Sequence, residues 1–283
     1  MTGPVGFVGL GTIGKPMAQR LLAWPGGLVV YDVAPEPPAE LERAGAKVAG
    51  SVTELVGQVG LVGVMVRNDQ QVRQVLAEML PAAQPGLIVA IHSTVAPDTP
   101  AELAAVAAEH GIRVIDAPVS GGGMGAADGS LAILVGGDEE TFAAAEGPLR
   151  LMGRRVVHAG PIGAGTRFKL ARNLLHFVAF AAAGEAARLA EAAGLDLIAL
   201  GKVVRHTDAI TGGPGAVLIR DTTAPVAADY PFRGSLEHAW TLGEKDLGFA
   251  VELADRLGVD VPLARRALRE LGPALGFPSE GQA

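Results

Sequence analysis

The sequence contains no cysteine. Disulfide staples, thiolate nucleophiles and cysteine-ligated metals are therefore excluded. Aromatic residues make up 4% of the chain, so alanine, valine, leucine and glycine must do most of the packing. No apolar stretch is long and glycine-poor enough for a membrane span. No signal peptide is recognisable, because the fold itself is expected to begin at Val5. Positive charge is in deficit: the net charge of −7 and the pI near 5.4 argue against a nucleic-acid binder. These absences leave a cytoplasmic globular protein with no nucleic-acid, membrane or metal partner. What is present agrees: 49% hydrophobic and 19% charged residues over 283 positions suit one large core or two modest ones.

The most informative stretch is Val5 to Leu22, reading VGFVGLGTIGKPMAQRLL. Val5 to Val8 is a short apolar run of the kind a buried parallel strand requires. Gly9, Gly11 and Gly14 follow at G-x-G-x-x-G spacing, with Leu10, Thr12 and Ile13 between them. Ile13, Met17 and Leu21 then recur with helical period. Gly9 permits the tight turn, Gly11 lets a pyrophosphate approach the backbone, and Gly14 lets helix and strand pack closely. The free N–H groups and the positive end of the helix face the phosphates. Asp32 closes a second apolar run, Leu28 to Tyr31, 18 residues beyond Gly14. A carboxylate near that offset accepts hydrogen bonds from an adenosine ribose. The alternative is an ordinary strand–turn–helix with a turn aspartate, and strand, helix and acidic residue together weigh against it.

Further along, Pro35 to Arg43 reads as a loop and a short helix. Ser51 with Glu54 forms a capping box, and Asn68 and Asp69 open the next helix. Leu61 to Val66, Leu87 to Ile91 and Arg113 to Ile115 read as strands, with a helix from Asp98 to Gly111 between the last two. This alternation predicts a parallel sheet wound with helices. After Asp116, the run DAPVSGGGMGAADGS reads as a long glycine-rich loop. A strand (Leu131 to Val135), a helix (Glu139 to Leu151) and a strand (Arg155 to Val157) complete the sheet. From Gly163 onward the pattern is helical: Phe168 to Ala193 as one long helix, then Leu197 to Arg205, Leu236 to Leu257 and Leu263 to Leu271. The expected organisation is α/β, a Rossmann-type doubly wound parallel sheet over residues 1–161. An all-helical domain over 162–283 follows, with one long helix joining the two. Pro278 to Ala283 read as a polar, disordered tail.

The long helix is apolar except in its first turns. Lys169, Arg172, Asn173 and His176 lie at offsets of three, four and seven, which share one helix face. A solvent-exposed polar face explains such a pattern equally well. The neighbouring glycines, Gly163 and Gly165, and the glycine-rich loop at Ser120 favour a ligand site instead, because they supply open backbone near a domain boundary.

Four motifs in this order resemble the 3-hydroxyisobutyrate dehydrogenase family. This is the β-hydroxyacid dehydrogenase group, which includes tartronate semialdehyde reductase and is related to 6-phosphogluconate dehydrogenase. They are GFVGLGTIGKPMA, the substrate-loop motif DAPVSGG at Asp116 to Gly122, GAGTRFKLARN at Gly163 to Asn173, and KDL at Lys245 to Leu247. The resemblance implies an NAD-dependent oxidoreductase, with NADP as the alternative. Its reaction is hydride transfer between the cofactor and a small 3-hydroxy acid or aldehyde acid, at a site between two domains. It implies Lys169 as the catalytic lysine. Ser120, Gly121 and Gly122 would hold the substrate carboxylate, and Asn173 would bind substrate from the helix. Thr94 and Lys245 would touch the nicotinamide half of the cofactor. Val66, Arg67 and Gln71 occupy the adenosine-side loop. A homodimer or homotetramer built by the helical domain is implied as well. The chemistry agrees with the lysine, since oxidising an alcohol requires a base, and burial with a neighbouring cation such as Arg172 lowers a lysine's pKa.

Some positions depart from the family. Ile13 replaces a methionine. Ile91, followed by His92, stands where an acidic residue precedes the Ser-Thr pair, and Arg67 replaces a proline. Arg172 replaces an asparagine, and His176 stands where hydroxyisobutyrate enzymes are apolar. Arg172 and His176 therefore point to a substrate with an extra polar or anionic group. For His176 the alternative is a core histidine satisfied by a backbone carbonyl. Two rival functions have counter-signals: imine reductases share the architecture but generally lack the lysine, and non-catalytic dinucleotide-binding modules of the family have lost it.

Overall fold

The computed structural model describes residues 2–277; the expected tail, Pro278 to Ala283, lies outside the described residues. Taken in chain order, the first elements are β1 (Val5–Val8), α1 (Gly14–Leu21), β2 (Leu28–Tyr31), α2 (Glu36–Arg43), β3 (Lys47–Val48), α3 (Val52–Val56), β4 (Leu61–Val64), α4 (Asp69–Met79), β5 (Ile88–Ile91), α5 (Thr99–Ala108) and β6 (Arg113–Asp116). These strands pair in parallel in the order β3-β2-β1-β4-β5-β6. That is the doubly wound order whose direction reverses at β1, where a crevice opens at the carboxyl ends of the strands. The central strands are buried on both faces, as parallel sheets require. On one side Phe7, Met17, Leu21 and Ile115 share a core; on the other, Val62, Leu76, Val89 and Ile91 do. Capping holds the helices as expected: Ser51 Oγ accepts from Glu54 N–H, and Asn68 Oδ1 accepts from Gln71 N–H.

The glycine-rich run is not one loop. It contains β7 (Val119–Ser120) and α6 (Gly122–Asp128) before β8 (Ala132–Gly136), α7 (Glu139–Met152) and β9 (Arg155–Gly160). α6 has little intrinsic helix propensity and forms because Ala126 is buried. The sheet is also not wholly parallel: β8 runs antiparallel to β6 and β7, then parallel to β9. The reason is local. β7 continues β6 after Ala117 and Pro118, and the connection through α6 brings the chain back alongside β7 in the opposite direction, so no crossover to a parallel strand is made.

Two compact units result, Met1–Arg172 and a second beginning at Asn173. The sequence places the boundary at 161/162, ahead of α8 (Ala164–Ala192), whereas this division falls inside that helix. α8 also starts four residues before the expected Phe168, because buried carboxylate oxygens from β6 satisfy the amides of Gly163 and Thr166.

The second unit contains the rest of α8 with α9 (Leu197–Thr211), α10 (Arg233–Leu257) and α11 (Pro262–Ala274), and no strand among the described residues. Its core is small: Leu236, Leu275 and Phe277, with Trp240 stacked on Phe277. The buried Glu185 caps α11 by accepting from Leu263 N–H at 2.8 Å and Ala264 N–H at 3.0 Å. Among the described residues no helix is long and apolar enough to cross a membrane.

Candidate active site

Most of the residues singled out in the first unit lie at or just beyond the carboxyl ends of the strands; Lys169 and Arg172 stand further on, within α8. Gly9 leaves β1 with φ +91°, and a Cβ there would lie 2.2 Å from the Met65 carbonyl oxygen. Gly14 is equally constrained: a Cβ would lie 2.0 Å from the Gly9 oxygen. Gly11 is the opposite, exposed and with no atom within 4 Å of a Cβ position. Two glycines therefore close the turn and the middle one leaves the backbone open, beside the exposed Thr12 and beside Ile13, which directly precedes α1. That fits a pyrophosphate against free N–H groups at a positive helix end.

Asp32, at the end of β2, accepts from Leu10 N–H at 2.5 Å and from Ala34 N–H at 2.9 Å. It lines a cleft of about 320 Å³ together with Tyr31, Val33, Pro38 and Glu42. Next along the sheet, Val66 and Ser93 exchange two 2.8 Å hydrogen bonds: Val66 N–H donates to Ser93 Oγ, which donates to the Val66 carbonyl. The side chain of Gln71 folds back to accept from Arg67 N–H at 2.9 Å. Arg67 and Thr94 are exposed.

The next tie is His92, fully buried after β5. Its Nδ1 lies 2.8 Å from the Ala117 carbonyl oxygen, so Nδ1 carries the proton and donates. Burial holds its pKa down at about 4, against an ordinary 6.5. Ala117 begins the segment that carries Ser120 in β7 and then Gly121 and Gly122, whose φ values of 133° and 63° suit glycine alone. The last tie is Asp116 at the end of β6. It is fully buried and accepts from Gly163 N–H at 2.7 Å and Thr166 N–H at 2.6 Å. Several strand-end loops are thus fastened to a neighbour by a side chain on backbone. His92, Ser93 and Asp116 carry three of these ties. In the sequence His92 stands out as a departure and Asp116 as part of a motif, and a polar residue closing an apolar strand was the signal that both shared.

Lys169 stands on α8 in the first unit and is 8% exposed. Burial, and secondly the positive charge of Arg172, lower its pKa from that of a free lysine. An amine so placed can take a proton from an alcohol or return one to a carbonyl. Arg172 lies one turn on. Asn173 and His176 continue the same helix in the second unit, where His176 rests against Phe180 with ring centroids 4.2 Å apart. Lys245, on α10, is exposed, with Nζ 3.2 Å from an Asp246 oxygen.

Comparison with known proteins shows the family. The family model for the NAD-binding domain of 6-phosphogluconate dehydrogenase matches residues 4–160. That for the NAD-binding part of NADP-dependent 3-hydroxyisobutyrate dehydrogenase matches residues 163–272. The NAD-dependent L-serine dehydrogenase of Pseudomonas aeruginosa is 35% identical over 273 residues, 93% of this chain and 89% of that one. The crystal structure of an oxidoreductase from Mycobacterium avium has a TM-score of 0.94 at 47% identity, covering 97% of this chain and 99% of the other. A Mycobacterium tuberculosis 3-hydroxyisobutyrate dehydrogenase with L-serine gives 0.69 at 31% identity, covering 98% and 96%. An imine reductase from Myxococcus stipitatus gives 0.76 at 19% identity, covering 97% and 94%, which is a likeness of fold.

Proposed function

The chain belongs to the 3-hydroxyisobutyrate dehydrogenase family of NAD(P)-dependent hydroxyacid dehydrogenases, and from that premise we propose how its residues divide the work. The observation that carries the assignment is the burial of Lys169 on a helix fastened to the substrate loop. Bound NAD(P) supplies the hydride acceptor or donor. Lys169 removes the hydroxyl proton as the alcohol is oxidised and returns it on reduction. Its lowered pKa makes it a usable base nearer neutrality than a free lysine would be. Ser120 and the N–H groups of Gly121 and Gly122 hold the substrate carboxylate, and Asn173 binds substrate from α8. The Gly9 to Gly14 turn takes the pyrophosphate and Asp32 the adenosine ribose. Val66, Arg67 and Gln71 flank the adenosine, and Thr94 and Lys245 serve the nicotinamide half.

The preferred cofactor is NAD(H), because Asp32 accepts from ribose hydroxyls and repels a 2′-phosphate. Arg67 is the cation that would admit NADP. Arg172 and His176 extend recognition beyond the carboxylate, so the favoured substrate carries an extra polar or anionic group. Arginine's planar fork suits such a group. By function, residues 1–161 bind the dinucleotide. Residues 162–283 supply the substrate helix and a self-association surface, through which the protein forms a homodimer or homotetramer in the cytoplasm. The test is a titration with NAD and NADP, followed by a panel of 3-hydroxy acids and their aldehyde acids. Binding of either cofactor without turnover of any 3-hydroxy acid would refute the reading.

A further inference from the structure

Two groups must meet one substrate in this reaction, the loop that holds its carboxylate and the amine of Lys169. They belong to segments about fifty residues apart in the chain. We propose that Asp116 is the positioning residue that sets one against the other. The proposal rests on Lys169 being the proton-transfer residue, as argued above.

Asp116 ends β6, directly before the turn to Ser120, Gly121 and Gly122. Its two carboxylate oxygens go separately to Gly163 N–H and Thr166 N–H, on either side of the first residues of α8. Lys169 follows three residues after Thr166. Charge-assisted bonds of this kind are roughly twice as strong as neutral ones, and an anion at a helix start is further favoured by the helix dipole. There is no slack around them. A Cβ on Gly136 would lie 2.3 Å from Asp116 Oδ1. A Cβ on Gly165 would lie 2.0 Å from the Leu134 carbonyl oxygen and 3.0 Å from that of Asp116. The helix start is pressed directly onto the sheet. From the other side His92 pins the Ala117 carbonyl, so the backbone that carries the carboxylate is held as well. One buried side chain therefore fixes the spacing between substrate loop and lysine. Misplacing a reacting group by about 1 Å can cost on the order of a hundredfold in rate.

Asp116→Asn keeps one acceptor oxygen but sets an amide N–H₂ against the second backbone N–H. Asp116→Ser is a smaller variant that keeps one acceptor and overfills nothing. Both are compared with the intact enzyme for NAD affinity and for turnover of L-serine and 3-hydroxyisobutyrate. The primary deuterium isotope effect on kcat is measured with each acid deuterated at its carbinol carbon. We expect NAD affinity within about twofold, kcat down by about 10- to 100-fold, and an isotope effect that rises as chemistry becomes rate-limiting. A role in folding alone lowers the active fraction and leaves the isotope effect unchanged, so that outcome overturns the proposal. Failure of both variants to fold overturns it as well. Amide hydrogen exchange is read on the same proteins and needs no substrate. The amides of Gly163 and Thr166 should lose about tenfold or more of their protection, while β1 stays unchanged. Unaltered protection there refutes the bridge itself. If the native enzyme turns over neither acid, the functional reading fails, and the exchange result still decides whether Asp116 holds α8.

Discussion

The two units treat their apolar residues in opposite ways. In the first, the large side chains Phe7, Met17, Leu21, Ile88 and Ile115 are fully buried against the two faces of the sheet. In the second, Leu236, Leu275 and Phe277 make a small core, while Phe177, Phe180, Ile198, Ile210, Leu218 and Phe249 are exposed. α8, α10 and α11 also line an apolar groove of about 440 Å³, which includes Val178, Leu189, Leu247 and Val261. Monomeric proteins rarely leave this much apolar surface in contact with water. The first unit buries its large apolar residues within itself, and the second leaves many of its own exposed. The polar groups follow the same division. In the first unit they are spent on fastening strand-end loops to one another, as Asp32, Ser93, His92 and Asp116 do.

The contrast can be tested at both ends. The largest effect belongs to Lys169: replacement by Met should cut kcat by roughly two to four orders of magnitude. NAD binding and thermal stability should survive, because the cofactor loops are held by other residues. Near-normal turnover would show that another group moves the proton. Next comes the apolar surface. Analytical ultracentrifugation should find an oligomer at micromolar concentration. The double variant Phe177→Glu with Phe180→Glu should weaken it by about thirtyfold or more, the scale of losing aromatic anchors. A monomeric native protein would break the comparison. Third, kcat/KM for NAD(H) should exceed that for NADP(H) by about tenfold or more, equivalent to about 1.4 kcal/mol; parity would remove Asp32 from its assigned role.

Smaller effects follow at Arg172 and His92. Arg172→Ala should raise KM for an anionic substrate by roughly tenfold, the scale of a hydrogen bond to a charged group, and leave NAD affinity alone. It should also shift the pH profile. Oxidation needs the neutral amine of Lys169, so its rate rises with pH through that group's lowered pKa. Removing the Arg172 charge takes away the second cause of that lowering, and the limb should move to higher pH. Indifference of KM to substrate charge would mean that Arg172 only tunes the lysine. The effect at His92 is on stability. Its folded pKa of about 4 lies below the ordinary 6.5. Between those values the unfolded chain binds a proton that the folded chain lacks. Stability therefore falls as pH drops through that window, by at most about 1.4 kcal/mol per pH unit. His92→Gln, which can still donate to the Ala117 carbonyl, should flatten the slope in thermal melts against pH.

Much of this was legible in the sequence because it rests on local rules. The strand–glycine–helix start, the alternation through Ile115, the capping box at Ser51 and the helical second half all follow from periodicity and end signals. α6 and the antiparallel β8 were not legible. Glycine-rich composition resembles a loop, and the burial of Ala126 that stabilises α6 is a tertiary event. The early start of α8 was hidden for a similar reason: Gly163 and Gly165 resemble breakers until Asp116, far back in the chain, satisfies the amides of Gly163 and Thr166. Among candidate site residues, those proposed from motifs could be named from the sequence. His92 and Asp116 act by touching backbone remote in sequence, and no spacing rule reports that.

α8 is one uninterrupted helix of 29 residues, and Lys169, Arg172, Asn173 and His176 sit on it as consecutive steps of a single spiral. With the substrate-binding roles proposed for these residues, this governs how the substrate range can change over evolutionary time. In a loop, inserting or deleting a residue adjusts reach gradually. On a helix, one inserted residue turns everything after it by about 100°. Such a change between Lys169 and Asn173 would point Asn173 and His176 away from the lysine's face at a stroke. Indels there should be lethal to activity, leaving substitution at positions such as 172 and 176 as the open route. New substrates should therefore be reached by exchanging side chains at fixed angles rather than by remodelling the backbone.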